Sequence, residues 1–263
     1  MRHYQTLLFE NHNGIARITL NRPDAANGMD MTLGRELLDA VLFCDQHPDI
    51  RVLIVTGNGN FFSAGGDLKA FAGYGDAISE RIHELTVYLH AAISRLARLR
   101  VPVIMAVNGV AAGAGFSLAM AGDVVLASER ARFTMAYTAA GLSPDGGASY
   151  FVPRLVGLRR AQELMISNRR LNAEEAQEWG LVTRVCTHDG LMAEVQGLAL
   201  QLAAGATRAL GTVKQLLATS TNNSLDAQMA LEGEAIARLA ASHDGQEGIQ
   251  AFLAKRTPVF TGA

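Results

Sequence analysis

The sequence of 263 residues is poor in the groups that usually mark redox, nucleic-acid or membrane-surface function. It contains two cysteines, Cys44 and Cys186, which are too few for a disulfide framework, so we expect reduced, buried thiols in a cytoplasmic protein. Charged residues make up 18% of the chain and the formal net charge is −2. This balance provides neither a basic face for nucleic acid nor a polybasic run for a membrane surface, so neither partner is expected.

The seven histidines do not follow a metal-binding pattern. The sequence contains no H-x-x-x-H motif and no closely spaced cysteine pair. His83 and His90 share a face of one predicted helix, but two turns separate them by about 10 Å, which is too far for a shared metal ion. The sequence therefore predicts no metal site, and a partly buried helical position explains either histidine better than catalysis does.

Long apolar runs are rare as well. The first residues lack an apolar stretch after a basic start, which argues against a secretory signal. The segment 103–120 has only Asn108 and Ser117 as polar side chains, but glycines at 109, 113 and 115 interrupt it. We expect a buried strand, a tight loop and a buried helix there, and no transmembrane segment.

Strand and helix patterns alternate over the first 190 residues or so. Segment 52–56 (VLIVT) is a continuous apolar run, as expected of a strand covered on both faces, whereas segment 31–45 has apolar residues at helical spacing. Such alternation predicts an α/β fold with parallel strands. From Leu191 onward the sequence predicts alanine-rich helices in three pieces that end near Lys255. We therefore divide the chain into a β/α core, residues 1–195, and a helical region, residues 196–263.

Two glycine-rich turns are the first candidates for a binding site. Gly65-Gly66 and Gly113-Ala114-Gly115 each come after an apolar strand, and the second opens a helix. Backbone N–H groups in such turns are accessible, and two turns can converge on one oxygen as an oxyanion hole. Each turn could equally be a plain connection. Neither matches a phosphate loop, a dinucleotide fingerprint or a nucleophile elbow, so Ser117 is not a credible nucleophile.

Asp145 lies in a third glycine-rich turn, GLSPDGGASY. A carboxylate facing an oxyanion hole can remove a proton beside a carbonyl while the hole holds the enolate. The structural alternative is an acid that caps the helix starting near Ser149. Phe62, Phe116, Tyr137 and Phe151 are candidates for an apolar pocket around this acid, although core packing explains such aromatic residues equally well.

Several segments together resemble the enoyl-CoA hydratase/isomerase (crotonase) superfamily over essentially the whole chain. The matching segments are NRPDAANGM, VLIVTGNGNFFSAGGDLKAF, PVIMAVNGVAAGAGFSLAMAGDVVLAS, FTMAYTAAGLSPDGGASYFVPRLVG, NAEEAQEWGLVTRV and GIQAFLAKRTPVFTG. The resemblance implies a spiral of ββα units with a C-terminal helical trimerisation region. It also implies a homotrimer or a hexamer, and an acyl-coenzyme A substrate with no separate cofactor.

The resemblance also assigns residues. The thioester oxygen would lie between the backbone N–H groups of Gly66 and Ala114. The contacts to coenzyme A would map onto one set of residues: Ala25, Ala26, Ala64, Asp67 and Leu68. The hydratases of the family use two glutamates, and those positions align with Ser117 and Tyr137 here, so ordinary hydration is in doubt.

Asp145 instead matches members that have a single carboxylate in this turn, above all the ring-1,2-epoxyphenylacetyl-CoA isomerase group. We therefore expect an enoyl-CoA isomerase in which Asp145 moves the proton and Tyr137 borders the substrate. A dehalogenase or hydrolase is the second hypothesis, with Asp145 as nucleophile and His90 activating water, as in the 4-chlorobenzoyl-CoA dehalogenase group. A non-catalytic coenzyme A-binding scaffold and a weak hydratase remain open.

Overall fold

The computed structural model describes residues 3–263 and contains two sheets surrounded by helices. The strands are β1 Leu7–His12, β2 Ile15–Leu20, β3 Val52–Gly57, β4 Phe61–Ser63, β5 Val103–Val107, β6 Val110–Ala112, β7 Val124–Ser128, β8 Arg132–Thr134, β9 Leu171–Asn172 and β10 Arg184–Cys186. The helices are α1 Met31–Gln46, α2 Leu68–Ala72, α3 Ile78–Arg98, α4 Ala114–Ala119, α5 Ala148–Val156, α6 Leu158–Ser167, α7 Ala173–Glu178, α8 Leu191–Ala203, α9 Thr207–Ser220, α10 Leu225–Ala240 and α11 His243–Leu253.

A long strand and a short strand alternate along the first half of the chain. The long strands form a six-stranded sheet in the order β1-β2-β3-β5-β7-β10, which is parallel except for the β1–β2 hairpin. The short strands form a second sheet in the order β4-β6-β8-β9. Each long strand from β3 to β7 is followed by a short strand of the second sheet, so the chain repeats a ββα unit as it winds forward.

Both faces of the large sheet are covered, which explains its continuous apolar runs. In β3, Leu53 and Val55 face the main core under α1 and α3, whereas Val52 and Ile54 face α8. A strand buried on both sides has no polar face, as segment 52–56 predicted. At the start of α7, the side chains of Asn172 and Glu175 form a reciprocal capping box.

The helical region differs from the prediction in its number of pieces. Four helices, not three, follow residue 190 in the described chain, because Ser224 and Ser242 each cap a new helix start. The predicted boundary between residues 195 and 196 falls inside α8, whose residues Val195 and Ala199 pack on the large sheet. No helix between residues 3 and 263 is both long enough and apolar enough to cross a bilayer.

Candidate active site

Neighbouring parallel strands of the small sheet bring the site residues together. β4, β6 and β8 pair in parallel and in that order. The chain leaves β4 toward Gly66, leaves β6 toward Ala114 and leaves β8 toward Tyr137. Parallel neighbours end at one edge of a sheet, so these three residues gather there. The sequence predicted that each glycine turn comes after an apolar strand, but it did not show that the short strands β4 and β6 lie between, because three residues are too few for a periodic pattern.

The two glycine turns touch each other. Gly65 has φ +95° and Gly113 has φ +51°, both in the left-handed region that favours glycine. A Cβ atom on Gly65 would lie 2.8 Å from the Ala112 carbonyl oxygen and 3.1 Å from the Ala114 nitrogen. A side chain at position 65 would push the two turns apart, so their contact requires glycine at that position.

The amides of Gly66 and Ala114 are available as donors. Met29 fixes the first turn, because its N–H donates to the Gly65 carbonyl at 2.7 Å and its carbonyl accepts from the Asp67 N–H at 3.0 Å. Ala114 is the first residue of α4 and has no acceptor within the helix. Neither amide donates to another backbone group in the described part of the chain. Two donors at touching turns can hold one developing oxyanion.

Both turns border a cavity of about 270 Å³ that is largely apolar. Gly66 and Ala114 lie on one side, and Leu85 and Leu89 of α3 lie on another. Among the described residues that line it, Asp145 is the one with a charged side chain. The full lining is Met29, Ala64, Gly66, Leu68, Phe71, Ile82, Leu85, Thr86, Leu89, Gly113, Ala114, Ala136, Tyr137, Ala140, Leu142, Ser143 and Asp145.

The Tyr137 hydroxyl, which the Ser117 hydroxyl contacts in turn, holds the Asp145 carboxylate on one side. The Tyr137 hydroxyl donates to Asp145 Oδ1 at 2.6 Å. The Ser117 hydroxyl lies 2.9 Å from the Tyr137 hydroxyl and 3.3 Å from the Gly113 carbonyl oxygen. Burial raises the pKa of Tyr137 above its ordinary value, and the negative charge of Asp145 raises it further. Tyr137 is therefore a protonated donor at neutral pH.

His90 lies on the other side of the same carboxylate. Its Nε2 atom is 3.3 Å from Asp145 Oδ2 and 3.1 Å from the backbone nitrogen of Gly146. One ring nitrogen either accepts from the Gly146 N–H or donates to Asp145, but it cannot do both at once. The side chain of His90 is 46% exposed, so it is accessible at the edge of the site.

A family model described as enoyl-CoA hydratase/isomerase matches residues 10–263. The chain belongs to the enoyl-CoA hydratase/isomerase family. The sequence is 38% identical over 253 residues to the 1,2-epoxyphenylacetyl-CoA isomerase of Escherichia coli (strain K12), covering 95% of each chain. It is 35% identical over 218 residues to the 4-chlorobenzoyl coenzyme A dehalogenase-2 of an Arthrobacter species, covering 82% of this chain and 79% of the relative.

A solved structure gives the same classification. The chain is 34% identical to an enoyl-CoA hydratase from Polaromonas sp. JS666, with a TM-score of 0.93 over 97% of this chain and 99% of that one. The fold is thus that of this family, and the resemblance drawn from the motifs is confirmed. Because the relatives include an isomerase, a dehalogenase and a hydratase, family membership alone does not fix the reaction.

The residues that the resemblance assigned to coenzyme A occupy two adjoining segments. The carbonyl of Ala26 accepts from the Ala64 N–H at 2.9 Å, which joins the segment that holds Ala25 to the first glycine turn. Ala64 and Leu68 line the cavity, and the Leu68 side chain is 54% exposed. Asp67 instead caps α2 through Ala70 and pairs with Arg22 at 2.9 Å.

The charge of Asp67 is therefore used within the protein. Burial acts to raise its pKa, but the bonds from Ala70 and Arg22 outweigh burial and lower the pKa overall. Its backbone groups are used as well, because the Asp67 N–H donates to the Met29 carbonyl at 3.0 Å and the Asp67 carbonyl accepts from the Phe71 N–H at 2.9 Å.

The aromatic residues proposed for the pocket do not gather there, with one exception. Phe62 and Phe116 are fully buried core residues, and Phe116 packs edge-on against Phe133 at 6.0 Å. Phe151 lies behind the Asp145 turn, where it lines a neighbouring cavity with His90. Tyr137 alone of the four lines the cavity with Asp145. Phe116 is buried because it points from α4 into the core, so it is not a substrate contact.

Sequence reasoning did not find the role of Ser117. It dismissed this residue as a nucleophile and gave it no other use, yet its hydroxyl is the second member of the hydrogen-bonded chain to Asp145. The signal that could have found it is local, because a serine four residues after Gly113 in a helix can bond back to that carbonyl. Among residues 3–263 no three His, Cys, Asp or Glu side chains cluster closely enough to hold a metal ion.

Proposed function

We propose that this chain is an enoyl-CoA isomerase in which Asp145 carries a proton between two carbons of the acyl group. The observation that supports it best is the combination of one carboxylate and two unused backbone N–H donors around one apolar cavity. By the family resemblance, the positions of the two hydratase glutamates correspond to Ser117 and Tyr137, whose side chains offer hydroxyls that lie 2.9 Å apart. One acid/base group suits a proton shift, whereas adding water needs a second group to activate the water molecule.

The reaction balances with Asp145 alone. The thioester oxygen of a 3-enoyl-CoA binds to the Gly66 and Ala114 amides. The C2–H bond breaks, its proton joins the Asp145 carboxylate, and its electron pair moves through the carbonyl carbon to give a dienolate oxygen. Asp145 then gives the proton to C4, the electrons return, and a 2-enoyl-CoA forms. Tyr137 donates to Oδ1 and the His90 ring lies beside Oδ2, so the carboxylate is held from both sides while the proton is transferred.

The apolar lining supports the same reaction. Leu85, Leu89 and Phe71 exclude water from the cavity wall, which strengthens the hydrogen bonds to a developing enolate. We propose that the 3'-phosphoadenosine end of coenzyme A lies outside this cavity, along the joined segments that carry Ala25, Ala26 and Ala64. We also propose a homotrimer or hexamer, supported by exposed apolar residues on the C-terminal helices such as Ile236, Phe252 and Leu253.

The test is to incubate the protein with a 3-enoyl-CoA in heavy water and to follow double-bond position and deuterium content. We expect conversion to the 2-enoyl-CoA with exchange. The Asp145→Asn variant should lose about 1,000-fold in kcat, in line with the loss of a general base. Asp189→Asn, an exposed carboxylate outside the cavity, is the matched control and should keep full activity. Neither conversion nor exchange by the wild-type protein would rule the proposal out.

A nucleophilic role for Asp145 is the second candidate, and the position of His90 favours it. A histidine 3.3 Å from a carboxylate could activate the water that hydrolyses an ester formed on Asp145. The Gly146 N–H competes for the same nitrogen, however, and weakens its use as a base. A single turnover with 4-chlorobenzoyl-CoA in ¹⁸O-water separates the two mechanisms. Label in Asp145, found by peptide mass spectrometry, would support the nucleophile, whereas a proton carrier gains none.

A further inference from the structure

A chain of hydrogen bonds connects Asp145 to the peptide group that supplies one of the oxyanion donors. Asp145 Oδ1, the Tyr137 hydroxyl and the Ser117 hydroxyl follow one another at 2.6 Å and 2.9 Å. The Ser117 hydroxyl then lies 3.3 Å from the Gly113 carbonyl oxygen. That carbonyl belongs to the same peptide group as the Ala114 N–H. A hydrogen bond to a carbonyl oxygen polarises its peptide group and makes the N–H a stronger donor.

The number of protons decides which of these contacts are hydrogen bonds. This series has three oxygen–oxygen contacts, but the two hydroxyl groups supply only two protons to fill them. When Asp145 is ionised it can only accept, so the Tyr137 proton is directed to it in a charge-assisted bond. The Ser117 proton then goes to the nearer oxygen, that of Tyr137, and the Gly113 carbonyl receives no bond from it.

Protonation of Asp145 changes this arrangement. The carboxyl group loses the charge that held the Tyr137 proton, and its added proton can be donated to the Tyr137 oxygen. Tyr137 then donates to Ser117, and Ser117 donates to the Gly113 carbonyl. In this state all three oxygen–oxygen contacts are hydrogen bonds, and the Ala114 N–H is at its strongest as a hydrogen-bond donor.

We propose that Ser117 and Tyr137 form a relay that strengthens the Ala114 oxyanion donor when Asp145 takes up a proton. The inference rests on the proposed function, because proton uptake by Asp145 coincides there with the appearance of charge on the enolate oxygen. The relay stabilises the enolate more than the substrate, which is the requirement for a catalytic contribution. Both residues are positioning residues, since they act through Asp145 and Ala114.

A spectroscopic experiment tests the relay without requiring turnover. Butyryl-CoA labelled with ¹³C at the thioester carbonyl is bound to four proteins: wild type, Ser117→Ala, Asp145→Asn and the double variant. Infrared difference spectra then report the carbonyl stretch, which falls as the oxyanion donors strengthen. The Asn side chain is uncharged and can donate to Tyr137, so it stands in for the protonated acid.

The relay predicts that Ser117→Ala leaves the carbonyl stretch unchanged when Asp145 is present and raises it in the Asp145→Asn background. An equal effect in both backgrounds, or none in either, would overturn the proposal. The carbonyl stretches of the four proteins can be compared even if the protein isomerises no 3-enoyl-CoA. The relay and the proposed function can therefore fail separately.

Kinetics provide the second readout. Ser117→Ala should lower kcat about three- to ten-fold with KM within about two-fold, because a weakened oxyanion donor costs less than a lost one. Ser117→Thr keeps the hydroxyl and should restore most of the rate. Tyr137→Phe combined with Ser117→Ala should lose no more than the worse single variant, since the two act as one unit. Losses that multiply, or that fall on KM alone, would contradict the relay.

Two matched substitutions control for the loss of a serine or tyrosine hydroxyl group as such. Ser94→Ala removes a hydroxyl from an exposed position on α3, and Tyr150→Phe removes one from an exposed ring on α5. Neither hydroxyl belongs to the series of hydrogen bonds between Asp145 and Gly113, so both variants should keep the wild-type rate.

Discussion

Two aspartates in this molecule, Asp123 and Asp145, lie in loops only 22 positions apart and have opposite surroundings. Asp123 pairs with the Lys214 ammonium at 2.6 Å and accepts from the Val103 N–H at 2.8 Å. Asp145 contacts the Tyr137 hydroxyl and the His90 ring, and no lysine or arginine among the described residues forms an ion pair with it. A cation balances the first carboxylate, whereas hydroxyl and ring groups orient the second beside a cavity.

Under the proposed function, this difference separates a structural acid, Asp123, from the acid that carries the proton, Asp145. The Asp123 carboxylate connects β5 to helix α9, and Lys214 is only 8% exposed, so the pair joins the core to the helical region. A proton carrier must be able to change its charge, and a fixed cation would oppose that change. The partners of Asp145 can either donate or accept a hydrogen bond. Asp145 can therefore take up and release a proton without leaving a buried cation unpaired.

Exchanging one aspartate at a time for asparagine should separate stability from activity. Asp123→Asn leaves a buried ammonium unpaired, and we expect it to lower the free energy of unfolding by about 3 kcal/mol. Its kcat per folded molecule should stay near that of the wild type. Asp145→Asn should unfold at the wild-type urea midpoint. Urea unfolding followed by circular dichroism measures both, and a stability loss confined to the Asp145 variant would contradict the comparison.

The geometry of the proposed oxyanion hole can be changed while Asp145 is left in place. Gly65→Ala would place a methyl group 2.8 Å from the Ala112 carbonyl oxygen at a positive φ, which pushes the two turns apart. We expect kcat to fall about 100-fold or more, as for the loss of an oxyanion donor.

Gly197→Ala is the matched control for that substitution. It lies within helix α8, and a methyl group there meets no atom within 4 Å. We expect unchanged activity and about 0.5–1 kcal/mol of added stability, because alanine favours helix over glycine. Similar rate losses in both variants would mean that the convergence of the two glycine turns is not required.

The smallest expected effect concerns pH. Burial and the charge of Asp145 raise the pKa of Tyr137 above its ordinary value of 10.0. A raised pKa in the folded state means that this group stabilises the fold below pH 10 and that its contribution is lost as the pH rises through the folded pKa. Tyr137 should therefore keep its proton well above pH 10.

Phenolate absorbance tests whether Tyr137 keeps its proton. Up to about pH 11, Tyr137→Phe should leave the absorbance gain unchanged, because a buried phenol beside a carboxylate stays protonated there. A smaller absorbance gain in the Tyr137→Phe variant than in the wild-type protein would show that Tyr137 is not shielded from ionisation.

The elements with strong periodicity could be predicted from the sequence. Segment 52–56 and the capped helix after Asn172 depend on local patterns that act within one element. The small sheet could not be predicted, because strands such as β4 and β8 span three residues and are defined by their neighbours. The number of C-terminal helices was underestimated by one, because a serine cap such as Ser242 depends on the backbone of the preceding turn.

The same division applies to the site. Gly66, Ala114 and Asp145 were found from turn chemistry and from the family resemblance, and the structure places all three around one cavity. Phe116 was misassigned because a sequence pattern does not show which face of α4 meets the core. The link from Ser117 to Tyr137 joins residues 20 positions apart, and only the folded chain brings their hydroxyls together.

The central claim is that one carboxylate both removes and returns the proton. A 3-enoyl-CoA carrying deuterium at C2 tests it most directly, in a single turnover in ordinary water with the enzyme in excess. The account predicts that part of the product carries deuterium at C4, because Asp145 hands the same nucleus across the cavity before it exchanges. Product that forms at the normal rate with no deuterium at C4 would contradict the account and would require a second proton donor.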